Sequence, residues 1–196
     1  MIVQAGGSIG SGLTTGNWAA IDHLGFDSDV IVHNVSVPGK TMQTGYGMRE
    51  TELFPFRSGS VPSVLLIQQG TDDLYHGTSA SLTYQAILVP FVSSARAAGF
   101  YVVVNTLLPR ADSGWTSAME QQRIAYNKLV RANTAGADAV NDIAADPLLG
   151  DGSNPATSDL YADALHLSMK GQERVAILDA AVLSPFLQRP VRTPSH

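Results

Sequence analysis

Ser63-Val-Leu-Leu-Ile-Gln-Gln-Gly-Thr-Asp-Asp-Leu74 drives a short apolar run straight into a glycine and two carboxylates. A run this short and unbroken reads as a strand covered on both faces, the habit of parallel sheets. Similar runs recur on either side of this one, giving strand candidates at 2–5, 30–37, 63–68, 100–106 and 137–141. Helix-compatible segments fall at 15–24, 41–53, 79–98, 117–134 and 169–187. In 117–134, Ile124, Leu129 and Val130 mark an apolar side, while Glu120, Gln121, Arg123, Lys128 and Arg131 supply a polar one. Gly99 and Gly136 stand where helix C-caps belong. The alternation predicts one α/β domain, a five-stranded parallel sheet in a three-layer α/β/α sandwich.

Composition narrows the function. At 196 residues the chain suits a single domain that buries about 70% of its unfolded surface. Apolar residues make up 44% and charged residues 15%, the balance of a globular protein. A net charge of −5 offers no basic footprint for nucleic acid. Without cysteine there is no disulfide, no thiolate catalysis and no cysteine-ligated metal. No apolar run is long enough to span a membrane, and the chain enters its first strand without a basic and apolar leader. We therefore expect an intracellular protein, a trimmed one, or part of something larger. The domain is assigned to 1–187, with 188–196 as a polar, proline-punctuated tail of little fold content.

In open parallel sheets, ligands bind outside the carboxyl ends of the strands. Four suggestive segments fall there: Ser8 after the first run, Gly39 after the second, Gly70 to Asp73 after the third, and Pro109-Arg110 after the fourth. Ser8 lies in Gly6-Gly7-Ser8-Ile9-Gly10, where glycines allow close backbone approach to a nucleophile; a capping serine in a glycine-rich turn fits the fragment equally. Asp163 and His166 sit three residues apart, so one turn can set the carboxylate beside the imidazole; an N-capping aspartate near an unrelated histidine is the plainer account. Ser8, Asp163 and His166 together offer a nucleophile, an orienter and a general base in a chain order known to satisfy triad geometry.

The remaining candidates are more open. Asp72 and Asp73 suit a side chain facing a reacting carbonyl, a helix-capping pair, or metal ligation that no second cluster supports. Gly39 follows Pro38 and fits either an N–H presented to an anion or a type II turn. Lys40 reads as a solvated charge. Asp73, His76, Arg110 and Trp115 are candidate substrate-pocket residues. His23 and His33 read as structural, Trp18 as a packing residue, and His196 is terminal.

These segments, taken in order, resemble the SGNH (GDSL-type) hydrolases, serine esterases and lipases with ordered Ser, Gly, Asn and His blocks. Gly7-Ser8-Ile9 is similar to the first block, Gly39 to the second, Gly70-Thr71-Asp72-Asp73 to the third, and Asp163-Ala164-Leu165-His166 to the last. Thr106 to Arg110, Arg123 to Lys128 and Leu160 to Gly171 are also similar to family members, so the resemblance covers nearly the whole chain. It implies a flavodoxin-like sandwich and hydrolysis of an acyl ester without metal or other cofactor. Ser8 would be the nucleophile, His166 the base and Asp163 its orienter. The N–H groups of Ser8 and Gly39, with the Asp72 side chain, would hold the oxyanion.

Two residues depart from that pattern. Gly7 stands where the family carries a carboxylate, and Asp72 where it carries an asparagine. An asparagine donates to an oxyanion, whereas an ionised aspartate only accepts. A carboxyl in a dry site can instead stay protonated and donate. The expectation is a serine esterase for a small acyl ester, with a carbohydrate O-acetyl group as a leading substrate. The alternative is a low-activity, hydrolase-like binding module disabled at Gly7 and Asp72. A nucleotide-binding flavodoxin-like protein fits least, because Gly6 to Gly12 makes a poor dinucleotide fingerprint and no phosphate loop is present.

Overall fold

A computed structural model describes residues 1–195; His196 lies outside the described residues. The sheet is built from β1 (Ile2–Gly6), β2 (Val32–Asn34), β3 (Val64–Gln68), β4 (Tyr101–Asn105) and β5 (Ala139–Asn141). All pairings are parallel, in the order β2-β1-β3-β4-β5. After β1 the chain builds outward one way; from β3 it builds the other way. β1 and β3 therefore flank the topological switch point, where such sheets open a crevice. Their register pairs Ile2 with Val64 and Gly6 with Gln68, so the two strands end level.

Period-two alternation sorts the strand residues into two layers of core. Val3, Leu65, Ile67, Val102 and Val104 pack with Tyr84, Phe91 and Tyr126 on one side. Ile2, Val64, Leu66, Tyr101 and Val103 pack with Ile21, Leu183 and Phe186 on the other. The first side is covered by α1 (Met42–Gly47), α3 (Thr71–Tyr75), α4 (Ala80–Leu82), α5 (Val89–Ala97) and α6 (Ser117–Ala132), while the one-turn α2 (Arg49–Glu52) buries no residue. After the one-turn α7 (Asn154–Thr157), α8 (Met169–Leu187) covers the second. Among the described residues no helix is long and apolar enough to cross a membrane.

Three helix expectations change. Residues 15–24 form only the 3-10 turns Leu13–Thr15 and Ala20–His23, because Gly12, Gly16 and Asn17 take left-handed backbone with φ of 67°, 65° and 67°. Segment 41–53 breaks at Met48 into α1 and α2. Segment 79–98 widens into a π-helical stretch at Thr83–Leu88, just before Pro90, whose missing N–H and crowding ring oppose a regular turn there. The C-cap of α6 is Asn133 at φ 49°, not Gly136. On that helix Ile124 is exposed and Arg123 is buried, the reverse of the expected sides. The 188–195 segment also packs more closely than its composition suggests. Arg192 pairs with Asp138 at 2.6 Å and lies over the Tyr101 ring, Tyr101 Oη donates to the Pro190 carbonyl at 2.9 Å, and Ser195 N–H to the Ala97 carbonyl at 2.9 Å.

One carboxyl on α8 is sealed in the core. Asp179 accepts from the side-chain amides of Asn105 at 3.0 Å and Asn141 at 2.7 Å, at the ends of β4 and β5. Burial pushes it up to about 7 from an ordinary 3.8, against the pull of those two amides. The native state thus holds a proton that the unfolded chain releases, and stability falls as pH rises from about 4 to about 7, then levels. In thermal unfolding, Asp179→Asn should flatten that slope, so that its stability relative to the parent improves from about pH 5 to about pH 8. A difference independent of pH would show that Asp179 does not titrate in this range.

Candidate active site

The chain turns immediately after β1. Ser11 N–H donates to the Gly7 carbonyl at 3.1 Å and Leu13 N–H to that of Ser8 at 3.2 Å. The Gly10 carbonyl receives the side-chain amides of Gln4 at 2.9 Å and Asn34 at 3.0 Å. A Cβ on Gly10 would stand 2.7 Å from Gln4 Nε2, so a side chain there would push on the amide that holds this turn to β1. The result is a Ser8 hydroxyl fixed just beyond the sheet edge, at the switch point.

The opposing loop is closed at its base by the Tyr161–Leu167 bridge and by Ala162 N–H donating to the His166 carbonyl at 2.8 Å. Its tip presents Asp163 and His166. One oxygen of Asp163 accepts the N–H groups of Leu165 at 2.8 Å and His166 at 2.6 Å. The other lies 2.8 Å from His166 Nδ1, and His166 Nε2 lies 2.9 Å from Ser8 Oγ. Partial burial pulls the Asp163 carboxyl upward, but the His166 and Leu165 hydrogen bonds outweigh it and hold it below its ordinary value. Asp163 therefore stays ionised and suits the tautomer with its proton on Nδ1, in which Nε2 can accept from the serine. Gln172, in the first turn of α8, locks the two loops together: it donates to the Ile9 carbonyl at 2.8 Å and accepts Ala20 N–H at 3.1 Å.

A cavity of about 30 Å³ opens beside Ser8, lined by Gly7, Ile9, Asp72 and Thr106 and by the apolar Leu107, Leu108, Ile143 and Leu165. Asp72, the second residue of α3, turns its carboxyl toward Gly7. Burial raises its pKa, opposed by Arg110, reinforced by Asp73, and opposed again by His76 and His166. Gly39 sits at φ 73° in a turn closed by Lys40 N–H on the Val37 carbonyl at 3.1 Å, the type II geometry that favours glycine. That turn borders Gly7 through the Lys40 carbonyl. Lys40 itself pairs with Glu52.

The four suggested pocket residues do not line this cavity. Asp73 is buried and caps α1, accepting Met42 N–H at 2.6 Å and Gln43 N–H at 3.1 Å. His76 is exposed, edge-on to Tyr75. Arg110 forms a two-point ion pair with Asp112 and is stacked between the rings of Tyr75 and Trp115. Trp115 donates to Glu120 at 3.1 Å. His23 stacks on Trp18 and His33 on Phe56, as structural residues do.

The apolar lining was not singled out from the sequence, although Leu107 and Leu108 follow β4 after Thr106 alone, where a lining residue belongs. Their placement depends on α6. Asn127 accepts Leu107 N–H at 2.8 Å and donates to its carbonyl at 2.9 Å, and Arg123 donates to the same carbonyl at 2.8 Å. Glu120 holds Arg123 at 2.6 Å. This is why the buried side of α6 is polar at two positions. Asn127→Ala should cost about 1–3 kcal/mol in urea unfolding by orphaning the buried Leu107 N–H, while the exposed Lys128→Ala stays within about 0.5 kcal/mol. Equal effects would deny the clamp.

Residues 5–174 match the GDSL-like Lipase/Acylhydrolase family. No curated protein matches the chain in sequence. Solved structures share the fold at low identity. A G-D-S-L lipolytic protein of Veillonella parvula superimposes with a TM-score of 0.76 at 18% identity, covering 93% of this chain and 97% of that one. An acetyl xylan esterase gives 0.70 at 18%, covering 93% and 100%. A psychrotrophic esterase of Pseudoalteromonas sp., inhibited by monoethylphosphonate, gives 0.70 at 15%, covering 96% and 98%. With the family's sequence pattern running through the segments that build this cleft, the chain belongs to the GDSL-like lipases and acylhydrolases and is a carboxylic ester hydrolase.

Proposed function

We propose that Ser8 is the nucleophile, His166 the general base and Asp163 its orienter, acting on a small acyl ester. The observation that carries this reading is the unbroken hydrogen-bond chain from Ser8 Oγ through both ring nitrogens of His166 to Asp163. As Ser8 Oγ bonds to the ester carbonyl carbon, its proton passes to His166 Nε2 and the carbonyl π pair moves onto oxygen. The oxyanion accepts from the N–H groups of Ser8 and Gly39 and faces the Asp72 side chain. Collapse expels the alcohol with the proton from His166, and water repeats the sequence to release the acid and free Ser8.

The cavity size supports a short acyl group. About 30 Å³ is room for two or three water-sized groups, and Leu107, Leu108, Ile143 and Leu165 suit a methyl or ethyl end. The acetyl xylan esterase among the structural relatives makes an O-acetylated carbohydrate the first natural substrate class to assay. The unpaired carboxyl of Asp72 is what favours the alternative, a binding module with little turnover.

With p-nitrophenyl esters, the parent should prefer acetate over octanoate by about tenfold or more. Ser8→Ala and His166→Ala should each lose about 10³-fold or more in kcat, and Ser8→Ala should lose labelling by a fluorophosphonate. A folded parent that neither turns over nor labels is the binding module.

A further inference from the structure

Asp72 differs from its carboxylate neighbours. Asp73, Asp112 and Asp163 all accept hydrogen bonds from protein donors. Among the described residues no donor reaches the Asp72 carboxyl, which lines the cleft with Ser8 and lies against Gly7, the residue before it. Its Oδ2 occupies the room over Gly7: a Cβ built there would stand 3.0 Å from that oxygen. Gly7 does not adopt a left-handed φ, so its backbone would accept a side chain. A side chain there would have to push the Asp72 carboxyl aside.

We propose that Gly7 and Asp72 work as a pair, the missing side chain at position 7 letting the Asp72 carboxyl settle over the Ser8 turn, from where its protonated O–H donates to the oxyanion. This rests on the esterase reading above. It removes the conflict of a carboxylate facing a developing negative charge, because a neutral carboxyl has one donor to offer. Gly7 is then a positioning residue: it has no side chain to offer the reaction and acts through Asp72. The charged and titratable groups facing Asp72 are Asp73 and His76 on α3, Arg110 from the loop after β4, and His166 across the cleft. Burial favours the neutral carboxyl, Asp73 adds to that, and Arg110 and the histidines oppose it. Once Asp72 ionises at higher pH, the donor becomes a repelling charge and the rate falls.

The test is a pH series and a mutant cycle with p-nitrophenyl acetate on the intact protein, each variant checked for parental thermal unfolding. Asp72→Asn donates at every pH, so its kcat/KM relative to the parent should climb by about tenfold or more as the pH is raised from about 4 to about 9. Gly7→Ala should lower the parent's kcat by about tenfold or more by displacing the carboxyl. In an Asp72→Ala background, itself down about 10²–10³-fold, Gly7→Ala should add less than about threefold. A ratio for Asp72→Asn that is constant with pH, or multiplicative effects in the cycle, overturns the pair while leaving the esterase standing. If no variant turns over and a fluorophosphonate leaves Ser8 unlabelled, the esterase reading falls and the pair falls with it.

Discussion

The level ending of β1 and β3 is the constraint from which the site follows. Parallel register sets Gly6 beside Gln68, so whatever follows each strand emerges into the same few ångströms of space. Ser8 leaves from one, and Gly70, Thr71 and Asp72 from the other. A shift of one strand against its neighbour would carry the hydroxyl away from the α3 turn and would also move each apolar side chain to the wrong layer. Core packing and site geometry are therefore enforced by the same pairing.

Much of this was legible because parallel strands buried on both faces write themselves as unbroken apolar runs. Val64 to Ile67 and Tyr101 to Val104 could hardly be anything else, and the catalytic candidates stood out as polar residues placed just past such runs. What stayed hidden is local backbone and side-chain direction. Gly12, Gly16 and Asn17 each take left-handed backbone and dissolve a segment with helical spacing. Arg123 and Asn127 look like solvated residues of α6 until their partners, the backbone groups of Leu107, are known. Asp73 and Asp72 are chemically identical and adjacent, yet one caps α1 while the other faces the cleft. Only the turn of α3 distinguishes them.

The site also shows how few of its polar contacts are left to chance. The loop carrying Leu107 is held by α6, and the Ser8 turn by Gln4, Asn34 and Gln172. Such backing limits the motion of the groups that would react, which matters because a misplacement of about an ångström can cost about 10²-fold in rate. Against that fixed background the Asp72 carboxyl and the buried Gln69 amide, both lining the cavity, have no hydrogen-bond partner among the described residues.

The hydrogen bonds through His166 span very different stretches of chain. Asp163 and His166 are three residues apart on one loop, whereas Ser8 and His166 are 158 apart. A contact of the first kind closes almost no loop and forms early; one of the second kind waits on nearly the whole topology. The Asp163–His166 pair thus amounts to a preassembled cartridge, seated only when α8 docks and Gln172 reaches Ile9. Partial unfolding that releases α8 would leave the cartridge intact and separate it from the serine. On the proposed triad, activity reports the docking of the last helix before it reports anything about the sheet.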